Sequence, residues 1–233
     1  MTDEFRSAGP TSYESISLWT VASLLLRNVP DNGNLRILGD SITYLAWLRS
    51  VFGPFRLNRT RESIWLFMAS LMREGTWTVY EFGVAWGYTT HYWLSRDIPS
   101  IVCWHGFDRF TGLPTAWRNL EKGEFSADGK VPDIRDPRLQ WHVGDVEQTL
   151  PDVETPATKK CIFFDLDVYL PTVFACNHLR SRLAVGDLIY FDELFDADEQ
   201  RILNENLLPH FELELLGCTG LAAAFRIVAA KTA

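Results

Sequence analysis

The sequence predicts an α/β protein: a mostly parallel sheet covered by helices on both faces, finished by an antiparallel C-terminal hairpin and preceded by a helical segment. Three observations predict it. From Thr76 onward, short apolar runs alternate with stretches of helical period, which is how strand–helix–strand units read. Near the end, the runs Phe211 to Cys218 and Leu221 to Ala229 are joined by only Thr219-Gly220, too short a link for a crossover helix, so these strands pair antiparallel. Ahead of Thr76 the apolar residues recur at helical spacing instead.

The elements follow in chain order. Thr11-Ser-Tyr-Glu14 has the form of a capping box, and Ile16, Trp19, Leu24 and Leu25 continue it as a helix over about 12–27. Asn28 to Gly39, with Pro30, Asn32 and Gly33, reads as a loop. A second helix starts after Asp40 and ends at Gly53-Pro54. A third, near 60–73, sets Ile64, Phe67, Met68, Leu71 and Met72 on one stripe. Residues 1–73 are thus a helical segment, a lid or oligomerisation surface, and residues 74–233 the main domain. Strands are expected at 76–82, 101–107, 139–143, 161–166 and 186–191, with helices near 87–96, 170–184 and 197–208. Leu170-Pro171-Thr172 fits a helix start, where proline at the first position loses no needed N–H.

Composition narrows the function. With 47% hydrophobic residues the chain can bury a substantial core. A formal charge of −8 repels a phosphate backbone, so nucleic acid is not an expected partner. The acidic, polar N-terminus is unlike a secretory signal, and no stretch is long enough to span a bilayer. Cys103, Cys161, Cys176 and Cys218 are scattered without a C-x-x-C pair and read as reduced thiols of a cytoplasmic protein. The apolar N-terminal helices suit a homodimer.

The first strand runs into Glu81-Phe-Gly83-Val-Ala85-Trp-Gly87, a small-residue turn in which the backbone itself can approach a nucleotide-like ligand. Read from Gly83 the spacing is G-x-A-x-G, which departs from the dinucleotide fingerprint and disfavours a pyrophosphate. The pattern E-x-G-x-x-x-G resembles motif I of the class I S-adenosylmethionine-dependent methyltransferases, whose Rossmann-like fold also ends a seven-stranded sheet in an antiparallel hairpin. By that resemblance Glu81, Gly83, Ala85 and Gly87 back onto the methionine part of the cofactor.

A second stretch, Gly106-Phe-Asp108-Arg-Phe110-Thr-Gly112-Leu-Pro114-Thr-Ala-Trp117, is similar to the G-F-D-x-F-x-G-L-P-x-x-W run of the macrocin O-methyltransferases, which methylate sugar hydroxyls of natural products. Asp108 is placed to accept both ribose hydroxyls, or to cap the turn beside Gly112. Asp145, after the third strand, faces the adenine side or caps the helix that begins near Val146.

The reaction is expected at Asp165-Leu-Asp167-Val-Tyr169 and Asp192-Glu193, carboxylates that directly follow apolar strands and open at one sheet edge. Phe163, Phe164, Tyr190 and Phe191 make their surroundings poor in water, where unpaired carboxylates repel each other and take up protons. A hard cation with oxygen ligands relieves that repulsion. The family resemblance implies the same: its members carry D-x-D-x-Y-x-x-T and then D-D, with magnesium between them, and Glu193 is a departure from the second pair. The expected metal ligands are Asp165, Asp192 and Glu193, with Asp165 also catalytic; the alternative is that some of these acids only cap helices, Asp167 first among them. Among His91, His105, His142, His178 and Asp128, His142 is the least poor candidate base. The long link from Trp117 to Arg138 is expected to shape the acceptor site.

The resemblance spans roughly residues 60 to 229. It implies an S-adenosylmethionine- and magnesium-dependent O-methyltransferase for a small-molecule hydroxyl, whether sugar, phenol or polyketide. A metal-independent N- or C-methyltransferase, or a non-catalytic binding protein on the same fold, is the alternative.

Overall fold

The computed structural model describes residues 33–231. The capping box at Thr11 and the helix expected at 12–27 lie outside the described residues. The chain divides into two units at Gly39–Asp40. Of the first, only the opening turns of α1 (Gly33–Phe52) are described, and all that follows concerns the second. The loop expected up to Gly39 is helical from Gly33: Leu35, Arg36, Ile37 and Leu38 stand between the two glycines, and an interior glycine costs a helix only about 1 kcal/mol.

The sheet is built from β1 (Trp77–Phe82), β2 (Ile101–Asp108), β3 (Leu139–Val143), β4 (Lys159–Phe164), β5 (Leu188–Phe191), β6 (Phe211–Cys218) and β7 (Ala223–Ala230). Their spatial order is β3-β2-β1-β4-β5-β7-β6. The first five pair in parallel, while β7 runs antiparallel to both β5 and β6. Every residue of β1 is buried, which is why the central strand reads as a near-continuous apolar run. The hairpin turn is tied by Thr219, whose N–H donates to the Ala222 carbonyl and whose hydroxyl accepts from the Leu221 and Ala222 amides.

One sheet face packs under α2 (Arg61–Leu71) and α3 (Tyr88–Leu94). Ile64, Trp65 and Met68 of α2 join Val79, Trp93, Trp104, Phe163 and Tyr190 in one core cluster. Trp65 sits edge-on to both Phe163 and Tyr190. Although α2 lies before residue 73, it is therefore an integral layer of the sheet domain. On the opposite face, Phe107, Phe82, Phe164 and Phe191 form a stacked row at centroid spacings of 4.8, 5.7 and 4.9 Å, set by the parallel registers of β2, β1, β4 and β5. These four residues end, or nearly end, their strands, so the carboxyl edge of the sheet rises from an apolar floor.

The remaining helices are α4 (Val146–Thr149), α5 (Tyr169–Arg180) and α6 (Ala197–Ile202), the last running on through a π turn at Leu203–Leu207. Pro171 is the third residue of α5, not the first, but it still falls in the opening turn whose N–H groups have no helical acceptor. The strand expected at 161–166 begins two residues earlier and stops at Phe164, because the chain turns out of the sheet at Asp165 to reach a left-handed Asp167 (φ 62°). All four cysteines are free. Among the described residues no helix is long and apolar enough to cross a membrane.

Candidate active site

Strand carboxyl ends in a doubly wound sheet leave a crevice where neighbouring connections part to opposite faces. Here that crevice is a cavity of about 950 Å3, reached by the phenylalanine row at Phe107. The turn after β1 and Asp108 form one wall; Asp165, Asp167, Asp192 and Glu193 form the other. Trp86 and Tyr88, both more than half exposed, stand at the rim with Trp117 and Phe125 from the long link after β2.

The β1 turn is held by backbone geometry. Gly83 (φ +90°) has its α-carbon so close to β4 that a Cβ there would lie 1.7 Å from the Asp165 carbonyl oxygen. Ala85 (φ 49°) and Gly87 (φ 81°) are also left-handed, and Gly87 precedes the first residue of α3. Asp108 fastens the turn: Oδ2 accepts from the Val84 and Ala85 amides at 2.7 and 2.8 Å, and Oδ1 accepts from the Phe110 amide at 2.5 Å. Three of the roughly four acceptor positions of a carboxylate are thereby filled, which leaves room for one further hydroxyl and not for both of a ribose. Asp145 makes no side-chain cap for α4; it pairs with Arg109 at 3.0 Å.

Glu81 does not line the cavity. It is buried behind the turn, where Oε2 accepts from Trp104 Nε1 at 2.7 Å and from the Thr90 hydroxyl, while Oε1 has no partner. Burial pushes its carboxyl up to about 7, against the pull of the two hydrogen bonds.

The acidic wall differs from the expectation in one exchange. Ligand atoms of Asp165, Asp167 and Glu193 all lie within 4.8 Å of one another. Asp192, expected as a ligand, instead forms an ion pair with Arg61 at 2.8 Å and accepts from the Tyr190 hydroxyl at 2.5 Å. Asp167, the foremost candidate for a helix cap, does not cap α5: Val168 precedes that helix without any side-chain cap, and the left-handed backbone at Asp167 carries its carboxylate to the cluster. Burial and then the charge of Asp192 raise Asp165 well above the carboxylate range and Asp167 to about 7. Glu193 is raised by burial and then by Asp165, and its Oε2 has no hydrogen-bond partner. Glu199, in α6, is raised by burial and then by Asp192.

Such a group fits a hard divalent cation. Oxygen ligands at about 2.0–2.6 Å from one ion are at most about 5 Å apart, and an all-carboxylate donor set suits magnesium, calcium or manganese. Arg61 is the neighbour that sequence reasoning missed. It lies over the Trp65 and Tyr88 rings and holds Asp192 across the cavity wall. Arg118, also unforeseen, bridges the long link to Asp196 and Asp40 at 2.7 and 2.8 Å and so fixes that side of the cavity.

The candidate bases fall elsewhere. His142 lies 3.0 Å from His105 in a smaller cleft of about 380 Å3 with Cys103. His178 stacks on Phe174, and Asp128 faces solvent beside Lys130. None of these, nor His91, lines the main cavity.

No protein-family model and no curated protein matches the chain. Solved structures do. The crystal structure of CalS11, a calicheamicin methyltransferase, superposes with a TM-score of 0.57 at 22% identity over 97% of this chain and 98% of that one. An apo structure of CalS11, described as a TDP-rhamnose 3′-O-methyltransferase of calicheamicin biosynthesis, gives 0.51 at 24% identity over 95% and 97%. The likeness establishes the Rossmann-like methyltransferase fold for the described residues.

Proposed function

We propose that the chain is an S-adenosylmethionine-dependent O-methyltransferase that acts on a hydroxyl of a small molecule, with magnesium as cofactor. The observation that carries this reading is the meeting, in one cavity of a methyltransferase fold, of a left-handed small-residue turn and a cluster of three converging carboxylates. The order of motifs shared with the macrocin O-methyltransferases supports it. A sugar hydroxyl is the first acceptor to try, since a superposing enzyme is described as acting on one; phenol and polyketide hydroxyls follow.

Gly83, Ala85 and Gly87 would back the methionine part of the donor, Asp108 would take one ribose hydroxyl, and Asp145 would lie toward the adenine. Asp165, Asp167 and Glu193 would hold magnesium, which when bound lowers the pKa of a coordinated acceptor hydroxyl. The chain's own contribution is orientation, exclusion of water and custody of a proton. The buried Phe164 and Phe191, directly before Asp165 and Asp192, would limit water behind the acidic wall. Asp165 is the group assigned to take the hydroxyl proton as the acceptor oxygen gains the methyl group. Trp86, Tyr88 and Trp117 offer flat apolar surfaces for the body of the acceptor.

With the enzyme we propose a homodimer through the N-terminal helices, for which Ile42, Leu66 and Phe67 leave exposed apolar surface, and a cytoplasmic location. Light scattering on the purified chain tests the dimer. The central test measures methyl transfer from labelled S-adenosylmethionine to nucleotide-activated sugars and to phenols, with magnesium and with a chelator. Transfer that requires magnesium is the expected result. Undiminished transfer in chelator would remove the metal from the reaction, and donor binding without transfer to any hydroxyl would favour an N- or C-methyltransferase. S-adenosylhomocysteine that failed to raise the melting temperature would remove the donor as well, and favour a binding protein.

A further inference from the structure

We propose that Arg61 binds the carboxylate of the donor's methionine part. This rests on the S-adenosylmethionine reading above and adds to it a residue that none of the motifs contains.

The order of the strands gives the direction. Along the carboxyl edge the sheet runs β3-β2-β1-β4-β5, with neighbouring strands about 4.8 Å apart. On the reading above the donor lies across that edge, its adenine toward Asp145 after β3, a ribose hydroxyl on Asp108 at the end of β2, and its methionine part against the turn after β1. The amino-acid end leaves the sulfur on the side away from the adenosine and so continues toward β4 and β5. There it meets Asp165, Asp167, Asp192 and Glu193, which repel a carboxylate. An ion held by three of these acids is already outnumbered in charge, so the donor's carboxylate needs a basic partner of its own.

Among the described residues three basic side chains line the cavity, Arg61, Arg109 and Arg118. Arg109 stands at the β2 and β3 end, paired with Asp145. Arg118 lies on the long link and gives Nε to Asp196 and Nη1 to Asp40. Arg61 is the one between the turn and the acids: its guanidinium lies over the ring of Tyr88, which directly follows Gly87, and Nη1 donates to Asp192, which directly follows β5.

Most of its donors are open. A guanidinium has five N–H groups. Among the described residues Arg61 makes one hydrogen bond, 2.8 Å to Asp192; Glu62 stands 3.9 Å from Nε, beyond hydrogen-bond reach. The side chain is 37% exposed, yet it is fixed in orientation, with Trp65 and Tyr88 each 5.2 Å from the guanidinium carbon. Glu62 accepts from the Tyr88 hydroxyl at 2.9 Å, so the start of α2 is tied to the start of α3 at this point and the fold places the fork. A planar fork held in place, with N–H groups left over at a cavity wall, matches a carboxylate bidentately; neutralising Asp192 alone would ask only for a lysine.

The test measures, by calorimetry, binding of S-adenosylhomocysteine and of its decarboxylated analogue, which keeps the adenosine and the ammonium. Arg61→Met should weaken S-adenosylhomocysteine by about ten- to a hundredfold, the range of hydrogen bonds to a charged group, and bind the analogue as the native chain does. Arg61→Lys, which keeps the charge and loses the fork, should fall between. Equal losses for the two ligands would show that Arg61 shapes the site as a whole, and unchanged affinity for S-adenosylhomocysteine would show that it does not touch the donor. Either result overturns the proposal while the donor reading stands. A native chain that binds neither ligand would overturn both. If the unpaired Asp192 keeps Arg61→Met from folding, the double variant Arg61→Met with Asp192→Asn carries the same comparison.

Discussion

The two walls of the cavity are built from acids used in opposite ways. On the wall formed by the turn after β1, Asp108 accepts three backbone amides, so its carboxylate is occupied inside the fold. On the facing wall Asp165, Asp167 and Glu193 converge with no basic side chain of their own, because Arg61 is committed to Asp192. An acid that the backbone satisfies sets a shape, whereas acids left unsatisfied in a dry place call for something to be bound. The difference separates positioning from chemistry within a single site.

Breaking the open wall should have the largest effect. Asp165→Asn is expected to reduce methyl transfer by on the order of a thousandfold, the several kcal/mol that a cation contributes, while S-adenosylhomocysteine still binds. Equal losses of transfer and of donor binding would mean that the walls are not separable. Gly83→Ala attacks the closed wall. The 1.7 Å approach to the Asp165 carbonyl and the φ of +90° should make it unstable by about 3 kcal/mol or more, read by denaturant unfolding. A native-like midpoint would show that the turn yields easily.

Glu81 lies behind the closed wall and offers a pH test. Its carboxyl titrates near 7 in the fold against an ordinary 4.5, so between these values the folded chain binds more protons than the unfolded one, and stability falls as pH rises. The penalty is absent below about pH 4.5 and reaches about 3 kcal/mol above pH 7. The melting temperature of Glu81→Gln minus that of the native chain should accordingly climb across this window. A constant difference would mean that Glu81 is charged throughout. The smallest expected effect is that of the ion on the native fold: Mg2+ at a hundredfold excess over its Kd should add about 2.7 kcal/mol. Asp165→Asn should lose most of that gain.

Much of this was legible from local pattern. Strands β1, β2, β4 and β5 each contain a compact apolar run, and the short Thr219-Gly220 link forced the hairpin. Asp165 and Glu193 stood out because carboxylates directly after such runs have few other places to go. The exchange of Asp167 for Asp192 was not legible, since it depends on Arg61, 131 residues from its partner, and on a left-handed backbone at a non-glycine position. The spacing D-x-D held the only hint. Glu81 was misplaced for a related reason: alternation along β1 turns it toward Trp104 and Thr90, and a strand's last acid reads the same whichever face it takes.

The contact between Gly83 and the Asp165 carbonyl joins the two walls as a machinist's jig joins two faces of a workpiece. On the proposed reading, the gap that a methyl group would cross is gauged by main chain against main chain, with a single hydrogen atom as the shim. Side chains around the rim could then be exchanged to admit other acceptors without resetting that gap, so the same reading assigns variation in substrate and constancy of reaction geometry to different parts of the chain.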